Sequence, residues 1–223
     1  MGRFIEIDGI KIDIIRKKGK KNLSLKINTK TDLPELTIPW LCPLIFAKSF
    51  AQKNIVWLKA HLKTIPAKQK FENGMQICVL GKELTIFHSD KKTLTHIQGN
   101  LLVVSGDAEH LHRRVKDFIK KQTLFYIQER IKNLPCTNIN HISLKDTVSR
   151  WGSCSSGRNL SFCWRLSLAP LFVLDYVIIH EVAHLKHMNH SIDFWLYVKE
   201  LGGQTHKAKT WLKQNALYLH SFL

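Results

Sequence analysis

The stretch that decides the fold is His180-Glu181-Val182-Ala183-His184, which runs on through Leu185-Lys186-His187-Met188-Asn189 to His190. A spacing of four residues at 3.6 per turn brings His180 and His184 to one helical face, about one turn apart, where both imidazoles can reach a single metal ion. Glu181 is offset around the helix and can reach a water on that metal without ligating it. Residues 171–186 are apolar almost all round, so the helix is expected to be buried. Two packed core histidines are the plainer reading of this spacing. Against it stands the cost of burying three ionisable groups without a metal or hydrogen bonds to compensate them. Zinc suits the set, because it accepts imidazole nitrogens and keeps an open position when only three protein ligands are supplied.

The third ligand is sought downstream, among His187, His190 and Asp193. His187 continues the His180–His184 face, but it stands seven residues from His180, roughly 10 Å along the axis at ~1.5 Å per residue. Ligands of one tetrahedral ion sit much closer together. His190 follows Asn189, a residue that tolerates the left-handed conformation at a helix end, and it can fold back onto the metal if the chain turns there. The ligand spacing H-E-x-x-H-x-x-x-x-x-H is then that of the metzincin signature, with His187 where that signature has glycine. Asp193 is the alternative ligand, and its plainer role is a first-turn acid complementing the dipole of the next helix.

Working outward, residues 159–169 read as one strand, with Leu160, Phe162, Trp164, Leu166 and Leu168 alternating against Ser161, Cys163, Arg165 and Ser167. Pro170 suits the start of the zinc helix. Two further helices are expected from about Ser191, a fitting N-cap, and from about Gln204, separated by Gly202-Gly203. Upstream, residues 107–134 form a long amphipathic helix ended by Pro135. Residues 71–104 break into short strands at Asn73-Gly74, Gly81 and Gly99-Asn100. Residues 43–65 read as one helix closed by Pro66. Ile10, Ile12 and Ile14 pair with Leu23, Leu25 and Ile27 in a hairpin turning at Gly19. A soft boundary is placed near Asp107. No internal repeat or low-complexity segment is apparent.

Composition narrows the class. The 44% hydrophobic and 23% charged content of the 223 residues excludes a disordered or fibrous chain. No apolar run is long enough to span a membrane, and residues 1–21 show no secretory signal. The five cysteines include no C-x-x-C pair, which suggests reduced thiols and a cytoplasmic location. The net charge of +17 is the abnormal figure, with 15 basic against 5 acidic residues in residues 1–70. Its densest piece, Arg16-Lys17-Lys18-Gly19-Lys20-Lys21, reads most simply as a solvated turn, with contact to nucleic acid or another acidic partner as the functional alternative.

Several segments together resemble the YgjP-like zinc metallopeptidase family, itself related in pattern to SprT-like peptidases. They are Arg150-Trp151-Gly152-Ser153-Cys154, Asn159-Leu160-Ser161-Phe162, Trp164-Arg165-Leu166, Asp175-Tyr176-Val177, the His180–His184 pentapeptide, His187-Met188-Asn189-His190-Ser191 and Phe194-Trp195. The likeness is strongest over residues 147–200, and W-G-S-C joined to the extended histidine motif is far more specific than H-E-x-x-H alone. The resemblance implies an α+β zincin-like catalytic unit, with a small sheet and the H-E-x-x-H helix, over residues 107–223. A β-rich basic lobe over residues 1–106 would precede it. It also implies His180, His184 and His190 as zinc ligands and Glu181 as base.

The expected function is zinc-dependent hydrolysis of a peptide or protein. Zinc would bring the pKa of a bound water to about 7, and Glu181 would take its proton and pass it to the leaving amine. The alternatives are a nucleotide pyrophosphatase, whose phosphates would meet Arg150 or Arg165, and a DNA-associated module with a structural zinc. The intact Glu181 counts against the latter, since a structural site needs a fourth protein ligand and no base. Asp175 could orient a ligand imidazole or merely serve its own helix. Arg150 and Arg165 could stabilise an oxyanion or pair with Asp146 or Asp175. Cys154 is read as a packed thiol, and Trp151, Trp164 and Trp195 as core.

Overall fold

The computed structural model describes residues 3–28, 31–91, 93–135 and 138–223. They form two compact units, Met1–Ala67 and Lys68–Leu223. In the first, β1 (Arg3–Ile7), β2 (Ile10–Lys17), β3 (Ser24–Ile27) and β4 (Pro34–Pro39) make a sheet of order β1-β2-β4-β3. The hairpin is β1–β2, not the expected pairing of the Ile10 and Leu23 segments. Asp8 and Gly9, at φ of 51° and 76°, supply its turn, and Asp-Gly is the dipeptide that such a primed turn prefers. β2 then runs parallel to β4, and β3 pairs with β4. The expected single helix over residues 43–65 is two, α1 (Leu44–Lys53) and α2 (Ile55–Lys63). Asn54 leaves the helical region at φ −104°, ψ 9°, and its side chain donates 2.8 Å to the Phe50 carbonyl. The break turns Ala47, Ala51, Ile55 and Leu58 onto the sheet and leaves Phe46 and Trp57 exposed.

The second unit opens with the same four-strand arrangement. β5 (Gln76–Val79), β6 (Lys82–Ser89), β7 (His96–Gln98) and β8 (Leu101–Ser105) take the order β5-β6-β8-β7. Counted from the turns at Asp8-Gly9 and Leu80-Gly81, the registers coincide pair for pair. Asp13↔Glu35 through Lys17↔Pro39 matches Thr85↔Leu101 through Ser89↔Ser105, and Lys26↔Glu35 matches Gln98↔Leu101. The buried positions follow suit: Ile5, Ile7, Ile12, Ile14, Leu36 and Ile38 correspond to Ile77, Val79, Leu84, Ile86, Leu102 and Val104. One supersecondary pattern therefore occurs twice, where the sequence shows no repeat.

After β8 come α3 (Leu111–Lys132), β9 (His141–Lys145), β10 (Gly152–Cys154), β11 (Asn159–Cys163), α4 (Leu171–Ala183), α5 (Ile192–Glu200) and α6 (Thr205–Ser221). The short strands form a mixed sheet of order β10-β11-β9. The strand expected over residues 159–169 stops at Cys163 and continues as a 3₁₀ helix, Trp164–Leu168, buried at every position. The side chains of Arg165 and Ser167 are satisfied internally, whereas the Trp164 indole N–H has no hydrogen-bond partner among the described residues. Arg165 donates to the Phe222 carbonyl at 2.9 and 2.7 Å and pairs with Asp146, and the Ser167 hydroxyl donates to the Trp164 carbonyl. Alternation of polar and apolar residues here reflects two kinds of buried contact, not two faces of a strand.

β5, β6 and β8 share one apolar core with α3, α4 and the segment Trp164–Leu168. That core explains why the division falls at Ala67, ahead of the boundary expected near Asp107. With six helices and three small mixed sheets among the described residues, the class is α+β. No described helix is long and apolar enough to cross a membrane. Cys136 lies outside the described residues, and the other four cysteines are free thiols.

Candidate metal centre

α4 owes its place to burial. Val173, Leu174, Val177, Ile178, Ile179 and Val182 all lie in the core, and each such side chain contributes roughly 1.5–3 kcal/mol on full burial. The helix ends at Ala183 with His184 as its cap, and the His187 N–H closes a last turn on the Ala183 carbonyl at 2.9 Å. The chain then reverses, and Ser191 starts α5 by accepting from the Phe194 N–H. That reversal carries His190 back over α4.

The result is a three-histidine cluster. His180 Nε2 and His190 Nε2 lie 3.1 Å apart, and one ring nitrogen from each of His180, His184 and His190 falls within 4.8 Å of the others. Phe194, fully buried, packs against all three rings at centroid distances of 4.9, 4.6 and 4.7 Å. His184 Nδ1 is 3.0 Å from the His187 carbonyl, which fixes Nδ1 as the donor and leaves the Nε2 lone pair free. Burial, and then the neighbouring His184 and His190, depress the His180 pKa to about 4, so this imidazole is neutral and competent as a ligand at neutral pH. Three converging imidazoles with an open side suit a divalent metal ion.

Glu181 is offset by one residue around α4 from His180, lines the same cavity and is only 5% exposed. Burial raises its pKa to about 7, opposed by the Arg150 guanidinium and a hydrogen bond from the Cys154 backbone. His180, Glu181 and His190 line one open cavity of about 630 Å³ together with Trp151, Tyr176 and Trp195.

A family model described as YgjP-like, metallopeptidase domain, matches residues 21–215. The chain belongs to the YgjP-like metallopeptidase family. No curated protein and no solved structure gives a match.

In this YgjP-like domain the other residues singled out from sequence sort by their contacts. His187 contributes its backbone carbonyl to the cluster, while its ring lies near Tyr197. Asp193 is exposed in the first turn of α5. Asp175 accepts a 2.8 Å hydrogen bond from the Tyr126 hydroxyl and pairs with Arg130 at 3.3 Å, so no ligand imidazole is its partner. Arg165 is taken by Asp146 and Phe222. Burial, with Glu181 adding to it, raises the Cys154 thiol pKa, which disfavours the thiolate a nucleophile needs. Trp164 is core, but Trp151 and Trp195 face the cavity. Sequence reasoning also passed over Tyr176, Val177, Lys209 and Leu212 as lining residues. Tyr176 stands one turn before His180 on the same helical face, a signal that was there to use.

Gly152 explains the W-G-S-C motif. A Cβ placed there would stand 2.5 Å from Glu181 Oε1 and 2.7 Å from its Cγ. The atoms that would have to move belong to the end of a flexible side chain, so the fold can absorb a methyl group, but the carboxylate cannot stay where it is. Gly152→Ala is expected to fold and take up metal like the parent while hydrolysis falls by roughly 10²-fold, the scale of a 1 Å misplacement. Metal content and kcat/KM of the purified variant check this, and unchanged kcat/KM would show that the Glu181 position is not critical.

Proposed function

We propose that this protein is a zinc-dependent peptidase in which His180, His184 and His190 hold the metal and Glu181 is the general base. The observation that carries the reading is the convergence of three imidazole nitrogens, two of them from residues lining a cavity that also holds a buried carboxylate. Zinc, when bound, lowers the pKa of a coordinated water to about 7 and polarises a carbonyl. Glu181 is one residue along the helix from a ligand and shielded from solvent, placed to take a proton and return it to the leaving amine. β10 is the edge strand beside it. The Trp151 carbonyl and the Ser155 N–H are spent on β11, so the polar groups of Gly152 point off the sheet. An extended peptide can add to that edge.

The nucleotide alternative loses Arg165, whose guanidinium is committed to Asp146 and the Phe222 carbonyl. The discriminating experiment gives zinc-loaded protein a peptide library and a nucleotide panel side by side. Peptide cleavage that disappears on chelation and returns with zinc is expected. Release of phosphate or pyrophosphate without peptide cleavage would overturn the reading.

A further inference from the structure

The cavity beside the cluster has a cation at its rim. Lys209, on α6, holds its ammonium 4.0 Å from the centre of the Trp195 ring, and Trp195 in turn stacks on His190 with centroids 5.5 Å apart and planes 19° from parallel. The ammonium therefore lies within about 10 Å of the His190 ring. The stack fixes the position of the charge against the metal cluster and, among the described residues, leaves its N–H donors without a hydrogen-bond partner. None of the ion pairs recorded among the described residues involves Lys209. Among the described residues Glu181 is the one acid lining the cavity, with Trp151, Tyr176, Val177 and Leu212 making the remaining wall largely apolar. A site of this kind is unfilled by the protein's own chemistry: it offers a positive charge and an apolar surface side by side.

We propose that Lys209 binds a carboxylate of the substrate, one or two residues from the scissile bond, while the apolar wall takes the side chain next to it. The assignment rests on the peptidase reading above and adds the substrate class. The distance sets the register, because a peptide advances at most ~3.3–3.6 Å per residue. The ammonium–carboxylate contact takes up about 3 Å of the span of about 10 Å, and the remaining ~7 Å is about two residues of chain. An ammonium recognises an anion as a point charge without demanding bidentate geometry. Two sources can supply the carboxylate: the free carboxy terminus, which would make the enzyme act at chain ends, or an internal Asp or Glu side chain.

The test uses three pairs of peptides with one scissile bond each. Two pairs compare a carboxy-terminal carboxylate with its carboxamide, placed one or two residues beyond the bond. The third compares a peptide with internal Glu at both positions with one that has Gln at both. The parent is expected to favour the carboxylate member of at least one pair roughly tenfold in kcat/KM, mainly through KM. The pair that responds identifies the source. In Lys209→Gln the difference between members should close, and in Lys209→Arg it should persist. No preference in any pair, or one that survives in Lys209→Gln, overturns the proposal. As a second measurement, a peptide hydroxamate ending in a carboxylate and its carboxamide are titrated calorimetrically into zinc-loaded protein. Tighter binding of the carboxylate in the parent but not in Lys209→Gln upholds the role even if no peptide is cleaved, a result that would sink the peptidase reading alone. Equal affinities sink the role of Lys209.

Discussion

Glu181→Gln is expected to retain about one zinc per chain and to lose peptide hydrolysis by roughly 10²–10⁴-fold, the range that a positioned general base contributes. The two properties separate because Glu181 is not a member of the histidine cluster, although it lines the same cavity. Glutamine matches the carboxylate in shape, so it also fills the space against Gly152, where no Cβ intervenes. Packing is therefore conserved while the proton acceptor is removed. Gly152→Ala supplies the converse case, in which the carboxylate is kept and displaced. If both variants lose activity with zinc in place, chemistry depends on what Glu181 is and on where it lies. Parent-like turnover in Glu181→Gln would mean that the base lies elsewhere or that the hydrolysis belongs to a contaminant.

How much of this was written in the sequence depends on how local each signal is. The histidine helix was legible because its period and apolar surround are local to residues 171–184, but its end was placed too late: α4 stops at Ala183, and Asn189 is not in the left-handed conformation expected of it. Glycine at 152 was visible as part of a motif, yet its reason was not, since the atom that forbids a Cβ comes from Glu181 on a different element. Residues 159–169 misled because strict alternation was read as a single strand throughout. In the fold the polar partners come from Asp146 and Phe222, remote in sequence. The hairpin in the first unit was misplaced by attending to Gly19, which lies in a connection, and overlooking Asp8-Gly9. The repeated sheet was hidden for a physical reason as well. Beyond the turn glycines Gly9 and Gly81, its two copies share mainly buried positions such as Ile12 with Leu84 and Ile14 with Ile86, where any aliphatic residue serves. Their β3–β4 and β7–β8 connections also differ in length. Lys209 carried no local signal, because α6 reaches the cavity only through tertiary packing.

The second large effect concerns the third ligand, and here helix geometry and the folded chain converge. His190→Ala is expected to weaken zinc binding by more than the ~10–100-fold typical of losing an outer-shell partner, because it removes one of three imidazoles and leaves the His180 nitrogen without its neighbour at 3.1 Å. His187→Ala should keep stoichiometric zinc. What His187 gives the cluster is a backbone carbonyl to His184 Nδ1, and alanine has the same carbonyl. Asp193→Ala should also keep its zinc, since that carboxylate is exposed in the first turn of α5 and contributes a few tenths to about 1 kcal/mol to the helix at most. The three purified variants are dialysed against a weak chelator and their metal content is then measured. Full retention in His190→Ala, with loss in either of the others, would move the third ligand to the residue whose variant lost the metal. Loss in His190→Ala alone leaves a centre of three imidazoles and one open position, the arrangement that catalysis at a metal requires.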